Sequence, residues 1–186
     1  MNGYVLVGGR SKRMSGASKT ELFLDRVVAA ASPVFDEVLA VNRHDAEPLR
    51  IRTIFEEEHE GEGALFGVAR ALADARARCF VIAVDYPLMT SEMLQYLAMR
   101  FEQSSAPALV PTWDARTQPL CAGWDASLLP LVEQRLASND FELRRLLTDA
   151  GAEIIAEAEL RARFAGEPLM NVNTPEQLEA AERWYG

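Results

Sequence analysis

Cysteine and histidine are nearly absent, with two of each in 186 residues. Cys79 and Cys121 stand far apart in apolar runs, Cys-Phe-Val-Ile-Ala-Val and Pro-Leu-Cys-Ala-Gly. That spacing excludes a zinc site of Cys/His pattern and a disulfide framework, and it predicts two buried strand thiols. His44 and His59 fall in polar stretches and are expected to be exposed, with no catalytic part. No Gly-x-Ser-x-Gly nucleophile elbow occurs. No apolar run approaches the ~18 residues of a membrane span. The first apolar strand starts almost at Met1, so no signal peptide is expected and a cytoplasmic enzyme is.

Acidic residues are missing from the first twenty positions, which hold Arg10, Lys12, Arg13 and Lys19. Elsewhere the balance reverses: the other 15 of 19 basic residues face all 28 acidic ones, and the net charge is −9. Such an excess argues against non-specific binding to nucleic acid or an anionic membrane. Cations are therefore concentrated at the place where a phosphorylated ligand is met.

Hydrophobic residues make up 49% of the chain, enough for a substantial core. One domain is expected, in two halves, residues 1–112 and 113–186. In the first half, apolar runs alternate with helical patterns. Strands are expected at Tyr4–Val7, Glu37–Asn42, Ile51–Phe55, Phe80–Val84 and Ala108–Pro111, and helices at Leu22–Ala31, Leu65–Ala75 and Ser91–Phe101. This alternation predicts an α/β fold: three layers, with a mostly parallel twisted sheet between helices, Rossmann-like. The second half predicts one strand of reversed direction at Pro119–Trp124, helices at Ser127–Leu136 and Phe141–Leu147, and a weak strand at Ala152–Ile155. Thr174-Pro175-Glu176-Gln177 reads as the capped start of a final helix reaching about Trp184. Trp113, Trp124 and Trp184 are expected in the core or a cleft wall.

In an open parallel sheet, ligands bind beyond the carboxyl ends of the strands. After the first strand come Gly8-Gly9 and the basic loop Arg10-Ser11-Lys12-Arg13, then Lys19 at the start of a helical pattern. Paired glycines let backbone N–H groups approach a ligand, and a helix N-terminus with fixed cations makes a polyphosphate site. The spacing is neither a Walker loop nor Gly-x-Gly-x-x-Gly. After the most apolar strand, Asp85 in Val84-Asp85-Tyr86-Pro87-Leu88 stands where a Mg²⁺ ligand would neutralise a leaving pyrophosphate; a turn or a helix cap is the alternative. Gly63 and Gly67 flank Ala64-Leu65-Phe66 at a helix start and permit close packing against a flat ligand. Asn171-Val172-Asn173 supplies two short amides for a metal or a nucleotide, or simply for a turn. Glu56-Glu57-Glu58 reads as a solvated run.

Leu6-Val7-Gly8-Gly9-Arg10-Ser11-Lys12-Arg13-Met14, followed by Lys19, resembles the signature L-x-G-G-x-S-x-R-M-G-x-x-K of the MobA-like nucleotidyltransferases, in particular their molybdenum cofactor guanylyltransferases. Further motifs follow in order. Val41-Asn42-Arg43 matches the end of the family's second strand, and Gly63–Gly67 is similar to its G-P-L-A-G. Asp85-Tyr86-Pro87-Leu88 is similar to its D-x-P-f, Gln118-Pro119-Leu120 to its h-P-l, and Asn171-Val172-Asn173-Thr174-Pro175 matches N-x-N-T-P. The resemblance implies guanylyl transfer from GTP to the terminal phosphate of molybdopterin, with release of pyrophosphate. It implies that Gly8, Gly9, Arg13 and Lys19 hold the triphosphate, with Leu6, Arg10, Ser11, Gly63 and Gly67 in the nucleotide site. Asn42 would lie near the guanine or ribose, Asp85 would hold Mg²⁺, and Asn171 and Asn173 would face the acceptor. Residues 1–112 become the nucleotide half and 113–186 the acceptor half, with molybdoenzymes or cofactor-delivery proteins as further partners. Gly8-Gly9, where CTP-using relatives show L-A-A-G, favours GTP. A cytidylyltransferase and a catalytically weak GTP-binding protein stand as alternatives. Three departures separate the chain from the pattern: Ser15 and Ser18 replace the usual Gly and Asp, about six or seven residues are missing after Lys19, and Ala64 replaces Pro.

Overall fold

The computed structural model describes residues 1–7, 19–59 and 63–173 together with 177 and 179; of residues 19–22 it describes the backbone. In chain order the elements are β1 Asn2–Leu6, α1 Lys19–Ala31, β2 Val38–Asn42, β3 Thr53–Phe55, α2 Ala64–Ala75, β4 Cys79–Ala83 and α3 Ser91–Gln103. There follow β5 Ala108–Trp113, β6 Arg116–Thr117, β7 Cys121–Trp124, α4 Leu129–Ala137, α5 Leu143–Asp149, β8 Glu153–Ile155 and α6 Glu157–Arg161.

The strands form one sheet in the order β3-β2-β1-β4-β7-β5-β6, with β8 pairing on β5. β1 lies between β2 and β4, parallel to both, and β3 is parallel to β2. β7 runs antiparallel to β4 and β5, and β8 is parallel to β5. The expected mostly parallel sheet with a reversed strand is therefore present. β6, not expected, closes a hairpin on β5. Its two linking residues, Asp114 and Ala115, both have positive φ (49° and 56°), the backbone of a two-residue hairpin turn.

Alternation along the strands sorts the core into two layers. Val5, Phe80 and Ile82 face α1 and α3 through Phe23, Val27, Leu94 and Phe101. Tyr4, Leu6 and Val81 face the opposite way, onto Leu65, Val68 and Leu72 of α2 and Val132 and Leu146 of the second half. All five residues of β4 are buried, as a central strand covered on both faces requires. Each large apolar side chain so enclosed contributes about 1.5–3 kcal/mol. Trp113, Trp124, Cys79 and Cys121 are fully buried, and burial pushes both thiols well up, Cys79 to about 12. Trp184 lies outside the described residues, as does the expected final helix apart from the helical positions 177 and 179.

Helix starts follow local chemistry. Thr90 caps α3, its hydroxyl accepting from the Met93 N–H at 3.3 Å. The helix expected from Ser127 is split: Asp125 caps a short 3₁₀ turn, Ala126–Leu128, and α4 proper starts at Leu129 with Pro130 in its first turn.

Candidate active site

β1, β2 and β4 end level with one another. The Val7 N–H donates to the Val41 carbonyl at 3.0 Å, and the Val84 N–H to the Leu6 carbonyl at 3.1 Å. The chain leaves β1 for β2 and β3 on one side and returns to β4 on the other, so the carboxyl ends of β1 and β4 flank the point where strand order reverses. α1 runs back across the sheet: Phe35, just beyond its C-terminus, packs against Gly3 near the start of β1. The N-terminus of α1, residue Lys19, consequently lies toward the carboxyl edge. Gly8, Gly9, Arg10, Ser11 and Arg13 are outside the described residues, as is the Lys19 side chain.

Asp85 is half-buried in the turn after β4. It does not cap α3, a task that belongs to Thr90. Its carbonyl accepts the Val172 N–H at 3.0 Å, which brings Asn171 and Asn173 beside the β4 turn. Both asparagines are exposed, and Asn173 Nδ2 donates to Asn171 Oδ1. From the other side, the Ala83 N–H donates to the Leu120 carbonyl at 2.6 Å, and the Tyr86 hydroxyl to Gln118 Oε1 at 3.1 Å. Burial pushes the Tyr86 phenol far above its ordinary range, so it stays a neutral donor. Three segments remote in sequence thus meet at one turn.

A second group gathers beyond β2 and β3. The Glu56 N–H donates to the Asn42 carbonyl at 2.9 Å. Asn42 Oδ1 accepts from the Arg43 N–H at 3.0 Å, and its Nδ2 reaches the Glu47 carbonyl at 3.3 Å, so loop 43–47 orients the amide. Gly67, on α2, faces this group. A methyl group built on it would lie 3.2 Å from Glu56 Oε1 and 3.2 and 3.3 Å from the Leu6 methyl carbons. Gly63, just before α2, lies against Phe141, whose Cβ would be 3.6 Å from a methyl there.

Two expectations need correction. Glu56 does not belong to a solvated run: its side chain is 8% exposed, and it is the one buried charged residue among those described. Glu57 and Glu58 are exposed as expected. His59 is not exposed either. Its side chain is 19% exposed, its Nε2 lies 3.1 Å from Glu56 Oε2, and its ring stacks on Phe66. His44 is exposed as expected. A spacing of three residues between Glu56 and His59 just after a strand was the available signal. The polar composition of the loop hid it.

Glu56 Oε1 accepts no hydrogen bond among the described residues. Unlike His59 Nδ1, it is not among the buried polar atoms left without a partner, so this oxygen keeps access to solvent. A cavity of about 190 Å³ lies between α2 and α4, bordered by Glu57, Glu58, His59, Phe66 and Glu133. Its carboxylates suit it poorly to a triphosphate. Among the described residues no three His, Cys, Asp or Glu side chains cluster as a ready metal site. No helix among them is long and apolar enough to cross a membrane.

An open sheet whose strand order reverses between β1 and β4, with a carboxylate turn after β4, is the frame of a nucleotidyltransferase. The family model described as MobA-like NTP transferase domain matches residues 3–154, and the chain belongs to that family. It is 31% identical to a protein of Thermococcus kodakarensis named probable molybdenum cofactor guanylyltransferase, over 96% of this chain and 92% of the relative. An Aquifex aeolicus protein of the same name is 30% identical, over 95% and 87%. Among solved structures, the chain is similar to molybdopterin-guanine dinucleotide biosynthesis protein A of Archaeoglobus fulgidus, with a TM-score of 0.81, 24% identity and coverage of 100% and 98%. A cytidylyltransferase of Thermus thermophilus shares the fold at a TM-score of 0.67 and 16% identity, over 98% and 97%.

Proposed function

We propose that the protein transfers GMP from GTP to the phosphate of molybdopterin, releasing pyrophosphate and forming molybdopterin guanine dinucleotide. The observation that carries the reading is the edge itself: Asp85 joined to the Asn171–Asn173 segment on one side, and Asn42, Gly67 and Glu56 on the other. The names of the relatives support it.

The nucleobase site is the Asn42–Gly67–Glu56 group. A carboxylate whose Oε1 is solvent-accessible and accepts nothing from the described residues suits the N1–H and 2-amino group of guanine, whose edge offers two donors side by side. Cytosine offers one amino group there and adenine no N1–H. Glu56 therefore supports GTP over CTP, in the direction that Gly8-Gly9 supports independently. Leu6 and Gly67 form the floor against which the base lies. Gly8, Gly9, Arg10, Ser11, Arg13 and Lys19 are assigned to the triphosphate, with Gly63 at the start of α2 beside them.

An oxygen of the acceptor phosphate attacks the α-phosphorus, and the bond from that phosphorus to the α,β-bridging oxygen breaks. The protein's task is to align the two phosphates and offset charge as it moves onto pyrophosphate, which asks for no nucleophilic side chain. Asp85 and Asn173 carry hard oxygens of the kind Mg²⁺ takes, and one or two protein oxygens with phosphate and water suffice for that ion, so a site there would need no cluster of three carboxylates. When bound, the ion would supply charge neutralisation to the phosphates. Asn171 and Asn173 face the acceptor, whose product would pass to molybdoenzymes or delivery proteins.

The test is incubation with GTP, Mg²⁺ and molybdopterin, following pyrophosphate. Release that depends on all three and is lost in Asp85→Ala is expected. Release no greater than that of Asp85→Ala would overturn the reading.

A further inference from the structure

Glu56 can present a fixed oxygen to a base only if something holds the rest of the carboxylate still. A glutamate side chain has three rotatable bonds, and ordering it costs entropy that a ligand contact would otherwise have to supply. The contact that does this lies three residues along the chain. His59 Nε2 sits 3.1 Å from Glu56 Oε2, the oxygen directed away from Gly67. The imidazole is itself held: its ring lies flat on Phe66, centroids 3.5 Å apart and planes 2° from parallel. Phe66 leans in turn on Phe141 at 5.5 Å.

The hydrogen-bond pattern also selects the form of the histidine. A carboxylate is an acceptor, so Nε2 carries the hydrogen. His59 Nδ1 is buried and has no partner among the described residues, so Nε2 is the nitrogen through which the ring acts. This donor steadies Glu56 at Oε2 and leaves Oε1 to the base.

We propose that His59 is a positioning residue for nucleobase selection: braced on Phe66, it fixes Glu56 so that Oε1 meets the donor edge of guanine. The proposal rests on the guanine reading of Glu56 given above and adds to it the element that makes that reading selective.

Two substitutions separate the donor from the stack. His59→Phe keeps a ring on Phe66 and removes the donor, and the neighbouring cavity of about 190 Å³ gives the larger ring room. His59→Gln keeps an N–H at similar reach and removes the ring. Calorimetric titration with GTP and with ITP, which lacks the 2-amino group, gives a preference ratio for each protein in the presence of Mg²⁺. The wild type is expected to favour GTP by about 10- to 100-fold, the range of one hydrogen bond to a charged group. His59→Phe should bring the ratio close to one with melting temperature little changed, and His59→Gln should keep most of it. If His59→Phe does not fold, His59→Asn, whose amide is too short to reach Oε2, carries the same expectation. A His59→Phe protein with the wild-type ratio overturns the proposal, and so does equal loss of GTP and ITP affinity in the Phe and Gln variants. Glu56→Gln tells the two readings apart. A wild-type preference abolished by Glu56→Gln but kept in His59→Phe removes only His59 from the account. No wild-type preference for GTP removes Glu56 and His59 together.

Discussion

The Val172 N–H donates to the Asp85 carbonyl at 3.0 Å, so the turn after β4 is clasped by a segment from near the far end of the chain. The bond uses the Asp85 backbone and leaves its carboxylate out of that contact. Loss of the carboxylate removes the group assigned to Mg²⁺ and keeps this backbone bond. Asp85→Ala is expected to lower kcat/KM for pyrophosphate release by about 10²–10³, the scale of removing one electrostatic group from a reacting centre. Pyrophosphate release, corrected for the folded fraction read from a thermal melt, checks it.

Gly67 tests the nucleobase side. An alanine methyl would meet Glu56 Oε1 at 3.2 Å and the Leu6 methyl carbons at 3.2 and 3.3 Å, tighter than ordinary contact yet short of collision. The Leu6 end can yield by a few tenths of an ångström, and the helix gains up to ~1 kcal/mol from losing its glycine. Global stability should consequently change by less than about 1 kcal/mol. Glu56 cannot yield without leaving the position assigned to it, so GTP affinity should fall several-fold. Equilibrium unfolding and nucleotide titration on the same preparation separate the two effects.

The contrast between Asp85 and Glu56 shows what the sequence made legible. Asp85 stood out because it follows a continuous apolar run, Cys-Phe-Val-Ile-Ala-Val, whose burial on both faces fixes where the strand ends and the ligand edge begins. Gly67 was singled out for its place at a helix start after a strand, whereas Asn42, the last residue of β2, was named only through the resemblance. Glu56 was not legible, because β3 is only Thr53–Phe55 and the residues after it are polar throughout. Its burial comes from α2, through the bare Cα of Gly67, a tertiary contact that no local pattern encodes. α6 was missed likewise: five residues, held by Leu160 in the core and by Arg161, which pairs with Glu157, Glu167 and Asp114 and lies over the Trp113 ring.

Gly123 is a stability position with no expected part in catalysis. It lies in β7 beneath α3, and a methyl group built on it would come within 2.3 Å of the Phe101 ring. Phe101 cannot swing aside easily, since it is fully buried and Arg78 lies over its face at 4.5 Å while bonding the Phe101 carbonyl at 2.6 Å. Gly123→Ala should destabilise by about 1–3 kcal/mol through overpacking. Urea unfolding would read this as a lower midpoint with an unchanged slope. The neighbouring Ala122→Gly offers a control without the clash.

Ala115 carries the opposite sign. It holds φ at 56° in the hairpin between β5 and β6, where an L side chain crowds its own carbonyl. Its N–H donates to Glu157 Oε2 at 2.9 Å, a bond that glycine would keep. Ala115→Gly should therefore stabilise, by up to ~1 kcal/mol, offset in part by the greater freedom glycine has when unfolded. A rise of one to a few degrees in melting temperature is the expected reading.

Asp125 gives a pH dependence whose direction can be worked out. Its Oδ1 accepts the Ser127 N–H at 2.9 Å and its Oδ2 the Arg78 Nε at 3.3 Å. These contacts, the Ser127 backbone bond first, hold the carboxyl below its ordinary value against the desolvation that opposes them. A carboxyl with a lower value folded than unfolded favours folding when ionised. Its contribution is complete above the unfolded value of about 3.9 and disappears as pH falls through the lower folded value. Asp125→Ala should thus cost about 1 kcal/mol at pH 7, the usual scale of a lost helix cap. The difference from wild type should shrink steadily below about pH 4 as the wild-type carboxyl takes up its proton. Other acids held low, Asp140, Glu157 and Glu159 among them, are common to both proteins and cancel in the difference. Urea midpoints measured for both proteins from pH 7 down to pH 2 would give the curve, and a gap that stayed constant into acid would show that the cap acts through something other than its charge.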